Sequence, residues 1–277
     1  MTCYKDLILL RNDYLNSSSL TEHEFSLLYK HVTGVHFNPV DAKCTNDYYT
    51  EKLVRLLDRR KKGEPIQYII GSWPFLDFEV KVDNRALIPR PETELLALEA
   101  ISIIKHNGFQ TVIDLCSGSG IIGLAIQKNI SKCHVTAVEI SHSACLLMED
   151  NRKFLNASIN IVEDDALAYL EKLKDDSIDL IVSNPPYVAK SEYDKNYLEL
   201  QYEPSLAFIA SENGYYFYNH LSPLCHKKLK HGGFLLYEIG DDQKTQVFQF
   251  LEKNHFIDLE CKKDYNGIDR VVLAKKD

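Results

Sequence analysis

From Pro91 onward, five β-rich runs alternate with helical segments, and this alternation leaves few folds open. Neighbouring parallel strands need a long crossover connection, which is usually a helix. The pattern therefore predicts a mostly parallel sheet with helices on both faces. Two more β-rich runs, 256–262 and 270–275, are predicted to form an antiparallel edge pair. The five strands are predicted at Thr111–Cys116, His134–Ile140, Ile159–Glu163, Ile178–Ser183 and Gly233–Ile239.

The first 80 residues are predicted to be mainly helical. Thr21 and Glu24 have the spacing of a capping box, and Gly34 is placed to end that helix. A second helix is predicted from about Asn46 to Gly63, with a basic end that is expected to be solvated. The leucines expected on its inner side are Leu53, Leu56 and Leu57.

Residues 75–89 alternate apolar and polar side chains and then reach Asp83-Asn84, a pair that favours a turn. The stretch is predicted to be a β-hairpin that joins two domains. The expected organisation is a helical N-terminal domain over 1–74, a hairpin linker over 75–90 and an α/β domain over 91–277.

Composition excludes some classes of protein. The net charge of -8, with ten Lys and Arg against eleven Asp and Glu in residues 1–80, disfavours a protein that coats nucleic acid. The seven cysteines are scattered without metal-ligand spacing, which predicts reduced thiols and no metal site. The chain shows neither a signal peptide nor the ~18 consecutive apolar residues of a membrane span. A cytoplasmic protein is therefore expected.

The first predicted strand runs into "DLCSGSGIIG", in which Gly118, Gly120 and Gly123 fit the pattern G-x-G-x-x-G. Glu139 ends the second strand roughly 20 residues on, where a carboxylate can accept hydrogen bonds from ribose hydroxyls. Ligands of parallel sheets bind beyond the carboxyl ends of the strands, so both features fall at the expected edge. A nicotinamide dinucleotide site is one interpretation, and a plain strand-to-helix turn is another.

Asp114 precedes the glycines in the order D-x-x-x-G-x-G, which resembles the first motif of S-adenosylmethionine (AdoMet) methyltransferases. AdoMet carries a positive sulfonium, so acidic side chains suit it better than they suit a pyrophosphate. After the third strand comes "EDDA" at 163–166, where a carboxylate can accept a hydrogen bond from an adenine amino group. Asp165 is favoured for this adenine contact, and Asp164 remains an alternative. The interpretation without a ligand is that the stretch is a solvated acidic loop.

The fourth strand ends in "SNPPY" at 183–187. Pro185 and Pro186 have no backbone N–H, so the exposed polar groups there are mostly acceptors. The Asn184 side-chain oxygen and the Pro185 carbonyl can each receive one hydrogen of a planar NH2 group, with Tyr187 over its face. The stretch is predicted to present an amide or aromatic amine to a methyl donor. No general base is evident, and a simple strand-ending turn is the alternative.

The corner resembles the N-P-P-Y motif of amino-methyltransferases, which act on DNA adenine, RNA guanine or protein glutamine. The chain resembles one family over nearly its full length, the release-factor glutamine methyltransferases (PrmC or HemK). The stretches that carry the resemblance are "GEPIQYIIG" (63–71), "LIPRPETELL" (87–96), "DLCSGSG" (114–120), "SNPPY" (183–187), "YEPSLAF" (202–208), "GGFLLYEIGDDQ" (232–243) and "NGIDRVV" (266–272).

The resemblance implies a small helical N-terminal domain, a β-hairpin linker and a Rossmann-like, seven-stranded, AdoMet-dependent methyltransferase domain. It implies AdoMet as cofactor, with S-adenosylhomocysteine as product. The implied partners are class-1 peptide-chain release factors, methylated on the N5 amide nitrogen of the glutamine in their Gly-Gly-Gln motif. Neither direct nucleic-acid binding nor membrane binding is expected.

The resemblance also assigns expected roles to residues. "RPETE" is expected to help close the site or to serve the structure, because Pro91 suits the first turn of a helix. The pair Glu203-Pro204 receives no chemical role. The expected cofactor-binding residues are Asp114, Cys116, Ser117, Gly118, Ser119, Gly120, Glu139, Asp165, Ala166 and Asn184. The expected catalytic residues are Asn184, Pro185 and Tyr187, and the expected substrate-binding residues are Asn184, Pro185, Pro186, Tyr187 and Arg90.

Two positions depart from the family pattern, and two rival functions remain. Cys116 stands where the family often has glycine, and Ala166 where a larger apolar residue often covers the adenine. A DNA methyltransferase would be expected to bring a basic target-reading domain, which residues 1–80 lack. A non-catalytic AdoMet- or NAD-binding regulator of translation is disfavoured by the intact corner at 184–187.

Overall fold

The computed structural model describes residues 4–17, 20–38, 47–193 and 199–277. The chain divides into two compact units, Met1–Ser72 with Lys195–Tyr202 and Trp73–Asp194 with Glu203–Asp277. Within the described ranges, every helix is too short or too polar to cross a membrane. The domain limits expected from the sequence stay predictions.

The described part of the first unit is helical, as expected. The Thr21 hydroxyl accepts a hydrogen bond from the Glu24 N–H at 3.2 Å, and the Glu24 carboxylate accepts one from the Thr21 N–H at 2.8 Å. Gly34 ends the same helix with a φ of 78°, so the capping box and the glycine end are confirmed. The helices are α1 (Tyr4–Ser17), α2 (Glu22–Thr33), α3 (Asp47–Lys61) and α4 (Ile66–Ile70).

Helix α3 confirms the predicted second helix, although the expected first residue, Asn46, lies outside the described residues. The predicted solvation of its basic end is wrong for Arg60, which is buried. Its guanidinium pairs with Glu24 at 2.8 Å and with Glu199 at 2.5 Å, since a buried charge needs carboxylate partners. The expected inner leucines are all buried: Leu53, Leu56 and Leu57.

A hairpin of two short strands, β1 (Ser72–Phe75) and β2 (Phe78–Lys81), follows the helices. A hairpin is present, but it spans 72–81 and not 75–89, and the predicted turn at Asp83-Asn84 is wrong, because the strands are joined by Leu76-Asp77. The Leu76 N–H donates to the Glu94 carboxylate at 2.8 Å, which fixes a turn without a favourable turn sequence.

The described residues of the α/β part form one sheet of seven strands: β3 (Thr111–Leu115), β4 (His134–Glu139), β5 (Asn160–Glu163), β6 (Ile178–Ser183), β9 (Leu229–Glu238), β10 (Phe256–Lys263) and β11 (Asp269–Lys276). Two short strands, β7 (Val188–Ala189) and β8 (Ile209–Ala210), pair separately. The order in the sheet is β10-β11-β9-β6-β3-β4-β5, which confirms the predicted seven-stranded fold. The pairs among β9, β6, β3, β4 and β5 are parallel, and β11 is antiparallel to both of its neighbours.

The sheet brings the predicted motifs to one edge. The chain places β4 and β5 on one side of β3 and places β6 and β9 on the other, so the strand order reverses beside β3. Ligands of such sheets bind at this reversal, beyond the carboxyl ends of the strands. The connecting helices are α5 (Pro91–Asn107), α6 (Ile121–Asn129), α7 (His142–Phe154), α8 (Ala166–Lys172), α9 (Tyr216–Lys228) and α10 (Lys244–Lys253).

Asn151, fully buried in α7, connects the hairpin to the loop after β3. Its Oδ1 accepts a hydrogen bond from the Lys81 N–H at 2.7 Å. Its Nδ2 donates to the carbonyls of Lys81 at 3.2 Å and Ser119 at 3.3 Å. One amide side chain therefore stabilises two backbone segments next to the predicted site.

We expect Asn151→Ala to lower the free energy of unfolding by about 3 kcal/mol, because it leaves buried backbone groups unpaired. Urea denaturation measures the change. The matched control on the same helix is Lys153→Ala, which removes an exposed ion pair with Glu149 and is expected to change stability by less than ~0.5 kcal/mol. Equal effects of the two substitutions would contradict the role given to Asn151.

Candidate active site

A cleft opens at the carboxyl ends of β3, β4 and β6, with about 1040 Å³ of space that includes open solvent. Many of the residues predicted for the site line it: Arg90, Cys116, Ser117, Gly118, Ser119, Glu139, Asp164, Asp165, Ala166, Asn184 and Pro186. Four do not belong to its lining: Asp114, Gly120, Pro185 and Tyr187. The cleft thus unites the glycine loop, the acidic strand ends and two residues of the N-P-P-Y corner, Asn184 and Pro186.

The glycine loop between β3 and α6 runs through left-handed backbone at Gly118 and Gly120, with φ values of 55° and 80°. A Cβ at position 120 would approach Met148 Cγ to 2.4 Å. Both the backbone conformation and the close packing at this position therefore favour glycine. The loop can therefore present backbone closely to a ligand.

Glu139 shapes this loop from the end of β4. Its Oε2 accepts a hydrogen bond from the Gly118 N–H, and its Oε1 accepts one from the Ser141 N–H, both at 2.8 Å. Burial raises the pKa of the carboxyl, although these backbone donors favour its charged form. Each oxygen has a second lone pair, so Glu139 can position the loop and still accept from a ligand hydroxyl.

Asp114 lies beneath the loop and is completely buried. Its Oδ2 accepts a hydrogen bond from the Gly123 N–H at 3.0 Å, while its Oδ1 is buried without a partner among the described residues. Burial raises the pKa of Asp114 to about 7. This position supports the loop from behind.

The acidic side chains after β5 have partners within the protein. Asp165 Oδ1 accepts from the N–H groups of Leu167 at 3.0 Å and Ala168 at 2.9 Å, which makes it the N-cap of α8. Asp164 binds the Lys172 ammonium at 2.5 Å. Both carboxylates line the cleft, so the choice between them for an adenine contact stays open.

The corner at 184–187 follows β6 without any regular structure. Asn184 Nδ2 donates to the Thr93 hydroxyl at 3.2 Å, and the Tyr187 hydroxyl donates to Glu238 Oε1 at 3.3 Å. The Tyr187 carbonyl accepts from Gln243 Nε2 at 3.0 Å. Side chains thus hold the corner where the prolines cannot donate, and the described contacts leave Asn184 Oδ1 available as an acceptor.

Sequence reasoning missed Thr93 and Glu238, which are both buried behind the corner. The Thr93 hydroxyl donates to Glu238 Oε2 at 2.8 Å, and burial raises the pKa of Glu238 to about 7. The available signal was their place in two motifs: "RPETE", which was expected to help close the site or to serve the structure, and "YEIG", which received no chemical role. Only the fold shows that these motifs meet.

Glu203 also gains a role from the structure. Its side chain is 2% exposed, and its Oε1 binds the Arg90 guanidinium at 2.6 Å. Its Oε2 accepts from the Ile88 N–H at 3.0 Å. The carboxylate therefore fixes the segment before α5 and holds Arg90, predicted to bind substrate, at the lining of the cleft.

Comparisons with known proteins identify the family. The Methyltransferase small domain model matches residues 93–203. A release factor glutamine methyltransferase of Clostridium acetobutylicum is 36% identical over 220 residues, which cover 79% of this chain and 77% of that protein. The one of Salmonella typhimurium is 31% identical over 265 residues, which cover 94% of each chain. The chain belongs to the release factor glutamine methyltransferase family. The resemblance predicted from the sequence is confirmed.

One further relative and two solved structures are similar to this chain over only part of their length or at low sequence identity. The release factor glutamine methyltransferase of Fusobacterium nucleatum is 38% identical over 224 residues, which cover 80% of this chain and 62% of that protein. A solved 16S rRNA methyltransferase of T. thermophilus, bound to AdoMet and guanosine, has a TM-score of 0.53 at 16% identity and covers 74% of this chain and 50% of that one. A methyltransferase of Pyrococcus furiosus has a TM-score of 0.51 at 14% identity, with 71% and 88% covered. These structures confirm the fold class alone.

The structure explains one departure from the pattern of this glutamine methyltransferase family. Cys116 has a φ of 56°, a left-handed conformation that costs an ordinary residue about 1–2 kcal/mol and glycine almost nothing. That cost is a physical reason for glycine at this position. At the other departure, Ala166 lines the cleft together with Ile140, which is 53% exposed and offers the apolar surface that alanine lacks.

The raised pKa of Asp114 predicts a pH-dependent stability. Burial favours the protonated carboxyl in the folded chain. The protonated carboxyl therefore contributes fully to the stability of the folded state below about pH 4, and this contribution is lost as the pH rises through 7. Asp114→Asn cannot ionise, so we expect its free energy of unfolding, relative to wild type, to rise by about 2–3 kcal/mol between pH 5 and 8. Urea denaturation at several pH values measures this. A difference independent of pH would contradict the assignment.

Proposed function

We propose that this chain transfers a methyl group from AdoMet to the N5 amide nitrogen of the glutamine in the Gly-Gly-Gln motif of class-1 peptide-chain release factors. The observation that carries the proposal is the corner at 184–187, where Asn184 Nδ2 is bound by Thr93 and Oδ1 is left as an acceptor beside the cleft. The names of the relatives point to the same substrate class.

The chemistry of the cleft suits a cationic ligand such as AdoMet. Acidic side chains line it at Glu139, Asp164 and Asp165. Its arginines are already paired, Arg85 with Asp83 and Asp150, and Arg90 with Glu203. A pyrophosphate would call for unpaired basic groups, so this lining supports AdoMet over a nicotinamide dinucleotide.

Different residues of the cleft are proposed to contact different parts of the cofactor. In our proposal the loop at 116–120 approaches the cofactor with its backbone, and Glu139 accepts from the ribose hydroxyls. Asp165 or Asp164 accepts from the adenine amino group, and Asp114 acts indirectly by supporting the loop. When bound, AdoMet supplies an electrophilic methyl group and leaves as S-adenosylhomocysteine.

The corner positions the acceptor. Asn184 Oδ1 and the Pro185 carbonyl each accept one N–H of the glutamine amide, which directs its nitrogen toward the methyl donor. Tyr187 and Pro186 frame the amide plane, and Arg90 lies at the rim on the substrate side. Positioning of this kind can supply on the order of 7–11 kcal/mol of barrier reduction in ideal cases. The amide loses its proton after attack, when the alkylated nitrogen has become far more acidic.

The proposed setting is the cytoplasm, where release factors act, with no direct nucleic-acid or membrane partner. The net charge of -8 supports a protein substrate over a polyanionic one.

The first experiment is a transfer assay with radiolabelled AdoMet. We expect label to enter a class-1 release factor and to be absent from DNA, from RNA and from a release factor whose motif glutamine is replaced by alanine. Equal labelling of the alanine variant would contradict the glutamine assignment. Labelling of a nucleic acid would reassign the substrate class.

The second experiment removes the acceptor oxygen. We expect Asn184→Ala to lower kcat by about 10²–10³, as the loss of one preorganised hydrogen-bonding group does in other active sites. AdoMet binding, measured by calorimetry, should weaken far less. The control is Lys132→Ala, an exposed position before β4 and therefore at the opposite edge of the sheet, which should leave kcat unchanged. Wild-type turnover in Asn184→Ala would refute the role of the corner.

A further inference from the structure

Glu238 ends β9 behind the corner and is 1% exposed. Its two oxygens accept from different side chains, Oε2 from the Thr93 hydroxyl at 2.8 Å and Oε1 from the Tyr187 hydroxyl at 3.3 Å. The Thr93 oxygen in turn accepts from Asn184 Nδ2 at 3.2 Å. Two side chains of the corner are therefore connected to one buried carboxylate.

The connection has a direction. A threonine hydroxyl has one hydrogen, and here Thr93 gives it to the carboxylate. Only lone pairs then face Asn184, so the NH2 end of its carboxamide is the end that can bind there. The reversed carboxamide would place Oδ1 against the lone pairs of Thr93 and lose the hydrogen bond. The carboxylate thus determines, through Thr93, that Asn184 Oδ1 points away from Thr93.

We propose that Glu238 and Thr93 are positioning residues, which fix the orientation of the Asn184 carboxamide and of the Tyr187 hydroxyl for the acceptor amide. This inference rests on the proposed function, because it concerns the oxygen that receives the substrate N–H. Glu238 does not line the cleft, and Thr93, which lines it, is only 2% exposed and has its side chain bonded to Asn184 and Glu238.

The surroundings of Glu238 make the connection sensitive to pH. Burial raises its pKa to about 7, while the Thr93 hydrogen bond, the Arg270 charge and the Tyr187 hydrogen bond oppose that rise. A proton on Oε2 makes that oxygen a donor toward Thr93, so the Thr93 hydrogen is freed and no longer fixes the orientation of Asn184. The groups that face the carboxyl are Glu92 and Thr93 at the start of α5, Tyr187 after β6, Tyr218 on α9 and Arg270 on β11.

The test compares two substitutions of Thr93, one that removes the hydroxyl and one that keeps it. Thr93→Val removes the hydroxyl and keeps the branched shape, whereas Thr93→Ser keeps the hydroxyl and removes a methyl group. With a release factor as substrate and saturating AdoMet, we expect Thr93→Val to lower kcat about 10- to 100-fold. A loss of this size is typical when a reacting group is slightly misplaced. Thr93→Ser should stay within about threefold of wild type. Calorimetry should give both variants the wild-type Kd for AdoMet.

The pH profile gives a second readout, which a purely structural role would not move. Wild-type kcat should fall as the pH drops below about 7, because protonated Glu238 no longer accepts from Thr93. Glu238→Gln keeps an acceptor oxygen at every pH, so we expect its kcat to lack this fall between pH 8 and 6. An identical acid limb in Glu238→Gln would overturn the part given to the carboxylate.

The outcomes separate this inference from the proposed function. Wild-type protein that binds AdoMet but labels no release factor would overturn the proposed function, and the inference with it. An active wild type with equally active Thr93→Val would overturn the inference alone. Thr93→Ser that loses as much kcat as Thr93→Val would also overturn it, because packing of the methyl group, and not the hydroxyl, would then matter.

Discussion

The two prolines at the end of β6 remove two N–H donors where the strand reaches the cleft, and much of the site follows from that loss. A sheet ladder cannot hold Pro185 or Pro186, so side chains from other elements must hold their neighbours. Thr93 binds Asn184, Glu238 binds Tyr187 through its hydroxyl, and Gln243 binds the Tyr187 carbonyl. These bonds replace the missing ladder and leave acceptor atoms available for a ligand.

Buried carboxylates have the same function on the cofactor side. Glu139 accepts from the backbone N–H groups of Gly118 and Ser141, and Asp114 accepts from the Gly123 N–H. Glu203 holds Arg90 and the Ile88 N–H at the rim. Burial disfavours the charged form of a carboxyl and raises the pKa values of Asp114, Glu139 and Glu238, while their hydrogen-bond donors favour the charged form.

Errors of the sequence analysis arose where a distant residue decides a local structure. The hairpin turns at Leu76 because Glu94, 18 residues away, accepts its N–H. Arg60 is buried because Glu24 and Glu199 neutralise it. Neither effect leaves a trace in the local sequence, since the partner residues become neighbours only after folding.

The sequence by itself determined the order of strands and helices along the chain, the capping box, the glycine loop and the irregular Asn-Pro-Pro-Tyr corner, because periodicity, turn chemistry and the missing proline N–H are local properties. Only the tertiary structure decided which way Asn184 faces, because Thr93 lies 91 residues before it and Glu238 lies 145 residues beyond Thr93. Hydrogen bonds act over about 3 Å, so only the folded sheet, with its helices in place, could bring those three side chains into one connected set.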